Sequence, residues 1–315
     1  MEFIKPKIIV SKCLEFEACR YDGQLISNEY IRKLKQFIDF EPICPEVEIG
    51  MDIPRDPIRI IKNKHRMQLY QDSTNLYYTN KMTNFSKKFL RSKDNVDGFI
   101  LKSSSPSCAL STSKIYPHIK TKIPTGKGMG LFASEIIKKF PNHPKEEDRR
   151  LNNIFLREHF FTSIFTIADY KNVKTVDSLY KYHAKHKYLF MSYNQTLMRK
   201  MGKLAADNKG VPIDKLLNDY YKYLLLMFKK RARYTSNINT QMHVFGYFKK
   251  YLTKKEKNYF LNLLEDYRNK KINTGSVNNI LYSWIIRFND GYLKNQSYFN
   301  PFPNQLLEVE ISRFR

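Results

Sequence analysis

The chain has 315 residues, of which 42% are hydrophobic and 14% aromatic, with 55 Lys and Arg residues against 30 Asp and Glu residues. This composition excludes wholesale disorder, and no apolar run approaches the roughly 20 residues that a membrane-spanning helix needs. The formal net charge of +25 predicts a polyanionic partner, most often nucleic acid, although an AT-rich genome would also enrich lysine. We expect a cytoplasmic protein without a membrane contact, a signal peptide or an obligate protein partner.

The first third of the chain alternates strand-like and helix-like segments. Strands are predicted for KIIVSKC, FEPIC and VDGFILKSSSPSC, and for PIRIIKN and MQLYQ, a pair joined by a turn near Lys64 and His65. Helices are predicted for SNEYIRKLKQFI, with Ser27 as its N-cap, and for LYYTNKMTNFSKKFLRS. The glycines of TGKGMGLFASEIIKKF fit neither a P-loop nor a dinucleotide motif and predict a tight turn into a helix. Such alternation is typical of an α/β domain with a mostly parallel sheet.

The pattern changes after the proline-containing segment 141–144. Apolar residues then recur at helical spacing through RLNNIFLREHFFTSIF, PIDKLLNDYYKYLLLMFKKRARY and VNNILYSWIIRF. We therefore predict an α/β domain at residues 1–145 and an all-α domain at residues 146–315. The second of these segments carries 30 of the 55 basic residues and 15 of the 30 acidic ones.

All four cysteines, Cys13, Cys19, Cys44 and Cys108, lie in the first 108 residues, without the CxxC pair of a zinc ribbon. In a cytoplasmic protein this clustering favours a metal or redox site over disulfides, with buried inert cysteines as the alternative. Three of them, Cys13, Cys44 and Cys108, follow apolar strands, and the carboxyl ends of parallel strands meet at one sheet edge. Three thiolates there would suit a soft metal or an iron–sulfur cluster, and a four-iron cluster would keep one iron free for substrate.

Several sequence blocks resemble a known family combination. The blocks SKCLEFEACRYDG, CPEVEIGMDIPRDPIRI, QDST and DGFILKSSSPSC resemble, in this order, the thiouracil desulfurase (TudS-like) family. RLNNIFLREHFFTSIF, QMHVFGYFKKYLTKKEK and NQSYFNPFP resemble the YbgA-type helical domain. Together the two halves resemble RudS-type proteins, which remove sulfur from 4-thiouridine in tRNA.

The resemblance implies a [4Fe-4S] cluster bound by Cys13, Cys44 and Cys108, a catalytic carboxylate at Glu46 and a catalytic serine at Ser105. Without it, Glu46 would be read as an ordinary loop carboxylate and Ser105 as a loop-stabilising hydroxyl. The family usually has glycine where this chain has Ala109, which would be strained if the loop needs a positive φ. Cys19 is not among the implied ligands. A packing role for Cys19 is favoured over a role as an alternative ligand or a resolving thiol.

The chemistry implied by the resemblance replaces sulfur with oxygen at a pyrimidine carbon without net electron transfer. Thiocarbonyl sulfur would bind the open iron of the cluster, which acts as a Lewis acid, and water would attack the ring carbon. Glu46 would serve as general base or proton shuttle, and Ser105 would bind the substrate or pass a proton.

Basic residues interleaved with aromatic ones in the second half predict contacts to RNA phosphates. These residues are Lys229, Lys230, Arg231 and Arg233 in MFKKRARY and Lys249 and Lys250 in YFKKYLTKKEK, with Arg149, Arg150 and Arg157 as further candidates. Most of the aromatic residues at helical spacing are expected to pack in the core.

Two alternatives for the function stay open. One is a desulfurase of free thiouracil or thiolated nucleotides, and the other is a non-catalytic iron–sulfur protein that binds RNA or DNA.

Overall fold

The computed structural model describes residues 2–63, 66–207 and 209–307, so the turn predicted at Lys64 and His65 lies outside the described residues. The chain divides into two compact units, Glu2–Ile164 and Phe165–Arg315. Within the described ranges, no helix combines the length and apolarity needed to cross a membrane.

The first unit has an α/β architecture, as predicted. Its elements in chain order are β1 (Lys7–Ser11), α1 (Glu29–Leu34), β2 (Asp39–Ile43), α2 (Pro45–Glu48), β3 (Ile58–Asn63), β4 (Arg66–Gln71), β5 (Leu76–Tyr77), α3 (Thr79–Arg91), β6 (Gly98–Leu101), β7 (Ser113–Tyr116), β8 (Gly126–Gly128), α4 (Leu131–Lys139) and β9 (Lys145–Glu147). One sheet has the strand order β2-β1-β6-β9, and all of its pairs are parallel. This sheet confirms the predicted mostly parallel arrangement.

A second sheet has the strand order β5-β4-β3-β7-β8. Of this sheet, the sequence predicted only the β3–β4 pair. That pair is antiparallel, as are β4–β5 and β7–β8, whereas β3 and β7 run parallel. The strands β5 and β8 have only two and three residues, too short for a period of two to be visible in the sequence.

The N-cap predicted for the first helix is wrong by one residue. Asn28, not Ser27, caps α1, because the Asn28 side chain accepts a hydrogen bond from the Ile31 amide at 3.1 Å. The Ser27 hydroxyl instead accepts a hydrogen bond from the Arg32 guanidinium at 2.6 Å. Ile31 and Leu34 are buried, as the helical period predicts.

The proline-containing segment 141–144 leads into β9, which is the edge strand beside β6. The compact first unit therefore continues past residue 145, and the division between the units falls inside α5 (Ile154–Asp169). The functional assignment of residues 1–145 and 146–315 as two domains stays a prediction.

The second unit is helical. It continues with α6 (Val176–Ala206), α7 (Ile213–Met227), α8 (Tyr234–Phe248), α9 (Lys254–Arg268), α10 (Thr274–Arg287) and α11 (Gly291–Lys294). Asn194 interrupts α6 with a non-helical φ of −159°, and its side chain caps the following turn by accepting the Leu197 amide hydrogen bond at 2.9 Å.

The NQSYFNPFP block, residues 295–303, is hydrogen-bonded to the middle of α6. The Gln296 amide donates to the Ala184 carbonyl at 2.8 Å, and the Ser297 hydroxyl lies 2.7 Å from Nδ1 of His186. Nε2 of His186 lies 2.9 Å from the Asp169 carboxylate. The buried polar groups of this block are thus paired within the unit, which gives the block a structural role.

His183, which also lies on α6, should make the stability of the second unit depend on pH. Its Nδ1 lies 2.8 Å from the Tyr220 hydroxyl, and burial lowers the pKa of His183 from 6.5 to about 4. The unfolded chain therefore binds a proton near pH 6.5, whereas the folded chain does not until about pH 4. We expect the free energy of unfolding to fall between these pH values, with His183 contributing up to about 3 kcal/mol.

The measurement compares urea unfolding of the wild type and His183→Gln at about pH 7 and about pH 5. The variant should lose less stability than the wild type over this interval, because it lacks the titrating imidazole. Parallel losses in the two proteins would contradict the assignment.

Candidate active site

Three cysteines converge because their strands are neighbours in the parallel sheet. Cys13 follows β1 by two residues, and Cys44 follows β2 directly as the N-cap of α2. Cys108 lies in the loop that leaves the next strand, β6. All three side chains line one cavity of about 460 Å³ at the carboxyl edge of the sheet. The structure thus brings together the three residues that strand-end reasoning selected, while their role as ligands stays a prediction.

The three side chains give the cavity a uniform set of soft donors. Thiolates are the ligands of iron–sulfur clusters, so the chemistry of Cys13, Cys44 and Cys108 fits such a group. No group of three His, Cys, Asp or Glu side chains among the described residues is placed to hold a single metal ion.

Burial of the thiols affects their protonation. Burial raises the pKa of Cys13, and the neighbouring Cys108 and Cys44 raise it further. Burial likewise raises the pKa of Cys108 to about 12, against the effect of hydrogen bonds from Ser11 and Ser107. Thiolates at these positions would be stabilised by bound iron, which is how metal binding and deprotonation are coupled at such sites.

Cys19 is fully buried and lies beside Cys44 in the same cavity. A hydrogen bond from the Cys19 thiol lowers the pKa of Cys44, although burial opposes the shift. The Cys19 carbonyl also accepts a hydrogen bond from the Arg55 guanidinium at 3.2 Å. The sequence favoured a packing role for Cys19, and these contacts make it a supporting residue of the site.

The loop that carries Cys108 is held by Ser105 and by the start of α4. The Ser105 hydroxyl oxygen accepts hydrogen bonds from the amides of Ser107 at 3.2 Å and Cys108 at 3.1 Å. The Ser107 carbonyl accepts the Ala133 amide hydrogen bond at 3.1 Å. A Cβ at Gly130 would stand 2.4 Å from that carbonyl oxygen, so only glycine allows the loop to sit there. The glycine-rich segment thus serves close packing as well as turning the chain into the helix.

Ala109 meets no strain at its position. The non-glycine residues with positive φ among those described are Glu15, Asn75, Ser104, Lys270 and Asn289. Ala109 is fully buried and outside this set, so the departure from the family's usual glycine is accommodated.

Glu46 lies buried in the first turn of α2, with only 8% of the residue exposed. One carboxylate oxygen accepts hydrogen bonds from Arg55 at 2.5 and 3.1 Å. The other accepts a hydrogen bond from the Ser107 hydroxyl at 2.6 Å. Glu46 is therefore ion-paired on one side and faces a hydroxyl on the other.

The hydroxyl that contacts Glu46 belongs to Ser107, a residue that the sequence did not single out. The Ser105 hydroxyl lies 2.9 Å from that of Ser107. Because Ser107 gives its one proton to Glu46, its oxygen accepts from Ser105. The half-buried Ser105, the buried Ser107 and Glu46 thus form a chain of hydrogen bonds that leads from the cavity to the carboxylate.

The six residues predicted to bind RNA do not form one patch. Lys229, Lys230, Arg231 and Arg233 are exposed just before α8, whereas Lys249 and Lys250 are exposed just after it. The helix has 15 residues. Its ends are therefore about 22 Å apart at the usual rise per residue. Among the aromatic residues interleaved with these cations, Phe248 is buried and Tyr251 stacks on Phe288.

Comparison with known proteins matches each part of the chain separately. A family model described as 2-thiouracil desulfurase matches residues 8–148, and one described as a protein of unknown function (DUF1722) matches residues 187–303. The uncharacterized protein YbbK of Bacillus subtilis (strain 168) is 35% identical over 112 residues, which cover 32% of this chain and 72% of YbbK. The uncharacterized protein YbgA of Escherichia coli (strain K12) is 25% identical over 145 residues, or 44% of this chain and 86% of YbgA.

Among solved structures, the [4Fe-4S]-dependent thiouracil desulfidase TudS aligns with 47% of this chain and 94% of its own. The TM-score is 0.37 at 24% sequence identity.

Proposed function

Because this chain belongs, through residues 8–148, to the 2-thiouracil desulfurase family, we propose that its first unit replaces the sulfur of a thiolated pyrimidine with oxygen from water. The observation that carries the proposal is the convergence of Cys13, Cys44 and Cys108 with Glu46 in one cavity. A purely structural cluster would not need a buried carboxylate connected to the cavity by hydroxyl groups.

The three thiols would hold a [4Fe-4S] cluster and leave one of its irons without a protein ligand. When bound, the cluster supplies a Lewis acid with an open position for a soft thiocarbonyl sulfur. The second unit would bring the substrate as part of an RNA.

The protein's own groups move the protons of the reaction. Glu46 takes a proton from the water that attacks the ring carbon, and Arg55 keeps the carboxylate oriented through its two hydrogen bonds. The hydrogen bonds that link Glu46 to Ser107 and Ser107 to Ser105 return protons toward the departing sulfur. The carbon–sulfur bond is replaced by a carbon–oxygen bond, and the two protons of water leave with sulfide. Neither oxidant nor reductant is consumed.

We propose 4-thiouridine in tRNA as the substrate. The excess of basic residues in 146–315 supports an RNA substrate, since a free base would not need cations for binding. A base within RNA must be exposed before it can reach the cavity, and contacts from a second unit would supply part of that energy.

The experiment is an anaerobic incubation of iron-loaded protein with bulk bacterial tRNA, followed by nucleoside analysis. We expect loss of 4-thiouridine and an equal gain of uridine, with slower conversion of free 4-thiouracil in a parallel reaction. Conversion of the free base alone would reject the tRNA substrate, and no conversion of either would reject the desulfurase.

The basic residues before α8 give a prediction for RNA binding. Replacing Lys229, Lys230, Arg231 and Arg233 by alanine should weaken tRNA binding and lower the slope of log K against log salt by up to about 3, since each phosphate contact contributes roughly 0.7–0.9. Filter binding or fluorescence anisotropy at several salt concentrations measures both quantities. The pair Lys249→Ala/Lys250→Ala tests the other end of α8. Unchanged affinity and slope in both variants would remove these residues from the RNA interface.

A further inference from the structure

We propose that an aromatic surface of the second unit stacks unpaired bases of an RNA. This aromatic surface consists of the rings of Tyr247, Tyr251, Phe288 and Tyr292, at the end of α8 and between α10 and α11. None of these residues lines the cavity of the first unit. The choice of RNA as the partner rests on the proposed function, whereas the surface itself takes no part in the desulfuration.

The four rings form two stacked pairs. The centroids of Tyr247 and Tyr292 are 6.4 Å apart with an interplanar angle of 23°, and those of Tyr251 and Phe288 are 5.3 Å apart with an angle of 29°. Lys249, between the two tyrosines of α8, keeps a right-handed helical backbone. Residues four apart on a helix are neighbours, so the two stacked pairs lie next to each other.

The rings of the aromatic surface are accessible although they stack on one another. Tyr247 is 40% exposed, Tyr292 39% and Tyr251 55%. Phe288 is partly buried, because its other neighbour is the buried Phe248 at 5.6 Å and 22°. Exposed tyrosine rings that are already stacked in pairs can receive a further flat ring, and every nucleobase offers one.

Tyr188 holds the outer pair in place from the interior. It is buried, and its ring stands edge-on to Tyr247 and to Tyr292, with centroids 6.4 and 6.3 Å away. The Tyr188 hydroxyl donates a hydrogen bond to the Tyr247 hydroxyl at 3.0 Å. Since the Tyr247 oxygen accepts this bond, its own proton is left to donate to an acceptor on a partner.

Two glycines leave space beside the outer pair. Gly246 and Gly291, both exposed, directly precede Tyr247 and Tyr292. A Cβ at either glycine would meet no atom within 4 Å, and neither glycine has a positive φ. Glycine inside a helix such as α8 is less favourable than alanine, and nothing among the described residues requires it at these positions. The missing side chains leave room for a partner to approach the rings closely.

The charges around the aromatic surface indicate an anionic partner. Four lysines adjoin it and make no ion pair with the described part of the chain, namely Lys187, Lys249, Lys250 and Lys294. Arg287 is paired with Glu256. Asp290, the carboxylate of the segment 287–294, caps α11 by accepting the Leu293 amide hydrogen bond at 2.8 Å. The positive charge of the lysines is therefore not balanced at this surface.

The combination of rings and cations determines the class of partner. Stacking rings beside lysines that can contact phosphates are typical of surfaces that bind single-stranded nucleic acid. An acidic peptide would use the lysines but would bring no row of flat rings to the tyrosines. Base-paired RNA keeps its bases stacked inside the helix, so the partner is an RNA segment with unpaired bases.

The test compares the affinity for labelled hexaadenylate with that for an abasic hexamer carrying the same number of phosphates, by fluorescence anisotropy. We expect the wild type to prefer hexaadenylate by about tenfold or more, the size of the loss of one base–aromatic stack. In Tyr251→Leu/Tyr292→Leu this preference should fall toward one, with an unchanged salt slope because no charge is removed. Lys249→Ala/Lys250→Ala should weaken both oligomers and keep the preference.

Two further variants test whether the rings themselves act. Tyr251→Leu/Tyr292→Leu leaves the hydrogen bond from Tyr188 to Tyr247 intact, so no buried hydroxyl loses its partner. Tyr251→Phe/Tyr292→Phe keeps the rings and should keep the preference. The matched control is Tyr180→Leu/Tyr259→Leu, which removes tyrosines 45% and 58% exposed in α6 and α9 and should also keep it.

The binding measurement separates this inference from the proposed function, because hexaadenylate contains no thiolated base. If tRNA is not desulfurated but the preference depends on Tyr251 and Tyr292, the desulfurase fails and the stacking surface stands. An equal preference in the wild type and a folded leucine variant would overturn the stacking surface, whatever the turnover of tRNA. So would binding to phosphatidylglycerol vesicles that the leucine variant loses while its preference for hexaadenylate is unchanged, which would assign the surface to a membrane.

Discussion

Glu46→Gln is expected to lower the rate of desulfuration by about a thousandfold, in the middle of the range for loss of a general base. The amide cannot take a proton from water, yet it keeps the shape of the side chain. Iron content and the visible spectrum should stay at the wild-type level, because Glu46 is not one of the three thiol ligands. Steady-state kinetics of anaerobic, iron-loaded protein measures the rate.

Glu46→Gln also breaks the ion pair between Glu46 and Arg55, and a variant at both positions controls for that loss. The two side chains are 11% and 5% exposed, so Glu46→Gln leaves the Arg55 charge buried without its partner. Breaking a buried pair in this way costs about 3–5 kcal/mol of folding stability. The double variant Glu46→Gln/Arg55→Met removes both charges and should regain much of that stability in urea unfolding.

The double variant distinguishes catalysis from folding. If Glu46 is the general base, Glu46→Gln/Arg55→Met stays inactive although it is stable. Recovery of activity together with stability would show that the carboxylate is needed only to pair with Arg55.

Cys108→Ala is expected to lose the cluster and, with it, all measurable activity. Cys13→Ala and Cys44→Ala should behave in the same way, because two thiols cannot hold a cluster with the open site that the reaction needs. Iron and acid-labile sulfide are measured in protein reconstituted without oxygen. Alanine also removes a buried sulfur at position 108, so Cys108→Ser is a second variant that keeps the side-chain size.

Cys19→Ala is the matched control, since Cys19 is buried in the same cavity but does not follow a strand of the parallel sheet. It should retain iron and sulfide at the wild-type level. Full iron and activity in any of Cys13→Ala, Cys44→Ala or Cys108→Ala would contradict the assignment of ligands, as would complete loss of iron in Cys19→Ala.

The convergence of the cysteines could be predicted because it depends on a property of the chain alone. Apolar runs mark parallel strands, and residues that follow such strands meet at one edge. The sequence could not show that β2, β1 and β6 are immediate neighbours in the sheet, since strand order depends on packing between distant segments.

The partners of Glu46 could not be predicted from spacing. Ser107 is 61 residues away along the chain, and the contact exists because the loop after β6 folds over α2. Ser105 was selected by resemblance, and it reaches Glu46 only through Ser107. Arg55 belongs to a block that carried the resemblance, but no pattern in that block indicated its buried ion pair.

The arrangement of surface charges also could not be predicted from the sequence. Lys229 and Lys249 lie in similar basic and aromatic segments, yet a whole helix separates them. Which cations are paired is decided by where the carboxylates fold, and the composition of the chain does not contain that information.

The central claim is that water replaces the sulfur at the cavity of Glu46, Cys13, Cys44 and Cys108 without net electron transfer. Its most direct test is desulfuration of tRNA in ¹⁸O-labelled water, without reductant, with uridine analysed by mass spectrometry and sulfide determined in the same sample. We predict one labelled oxygen per uridine formed and one sulfide per 4-thiouridine lost. Unlabelled uridine, a requirement for an electron donor, or no uridine from iron-loaded protein would contradict the account.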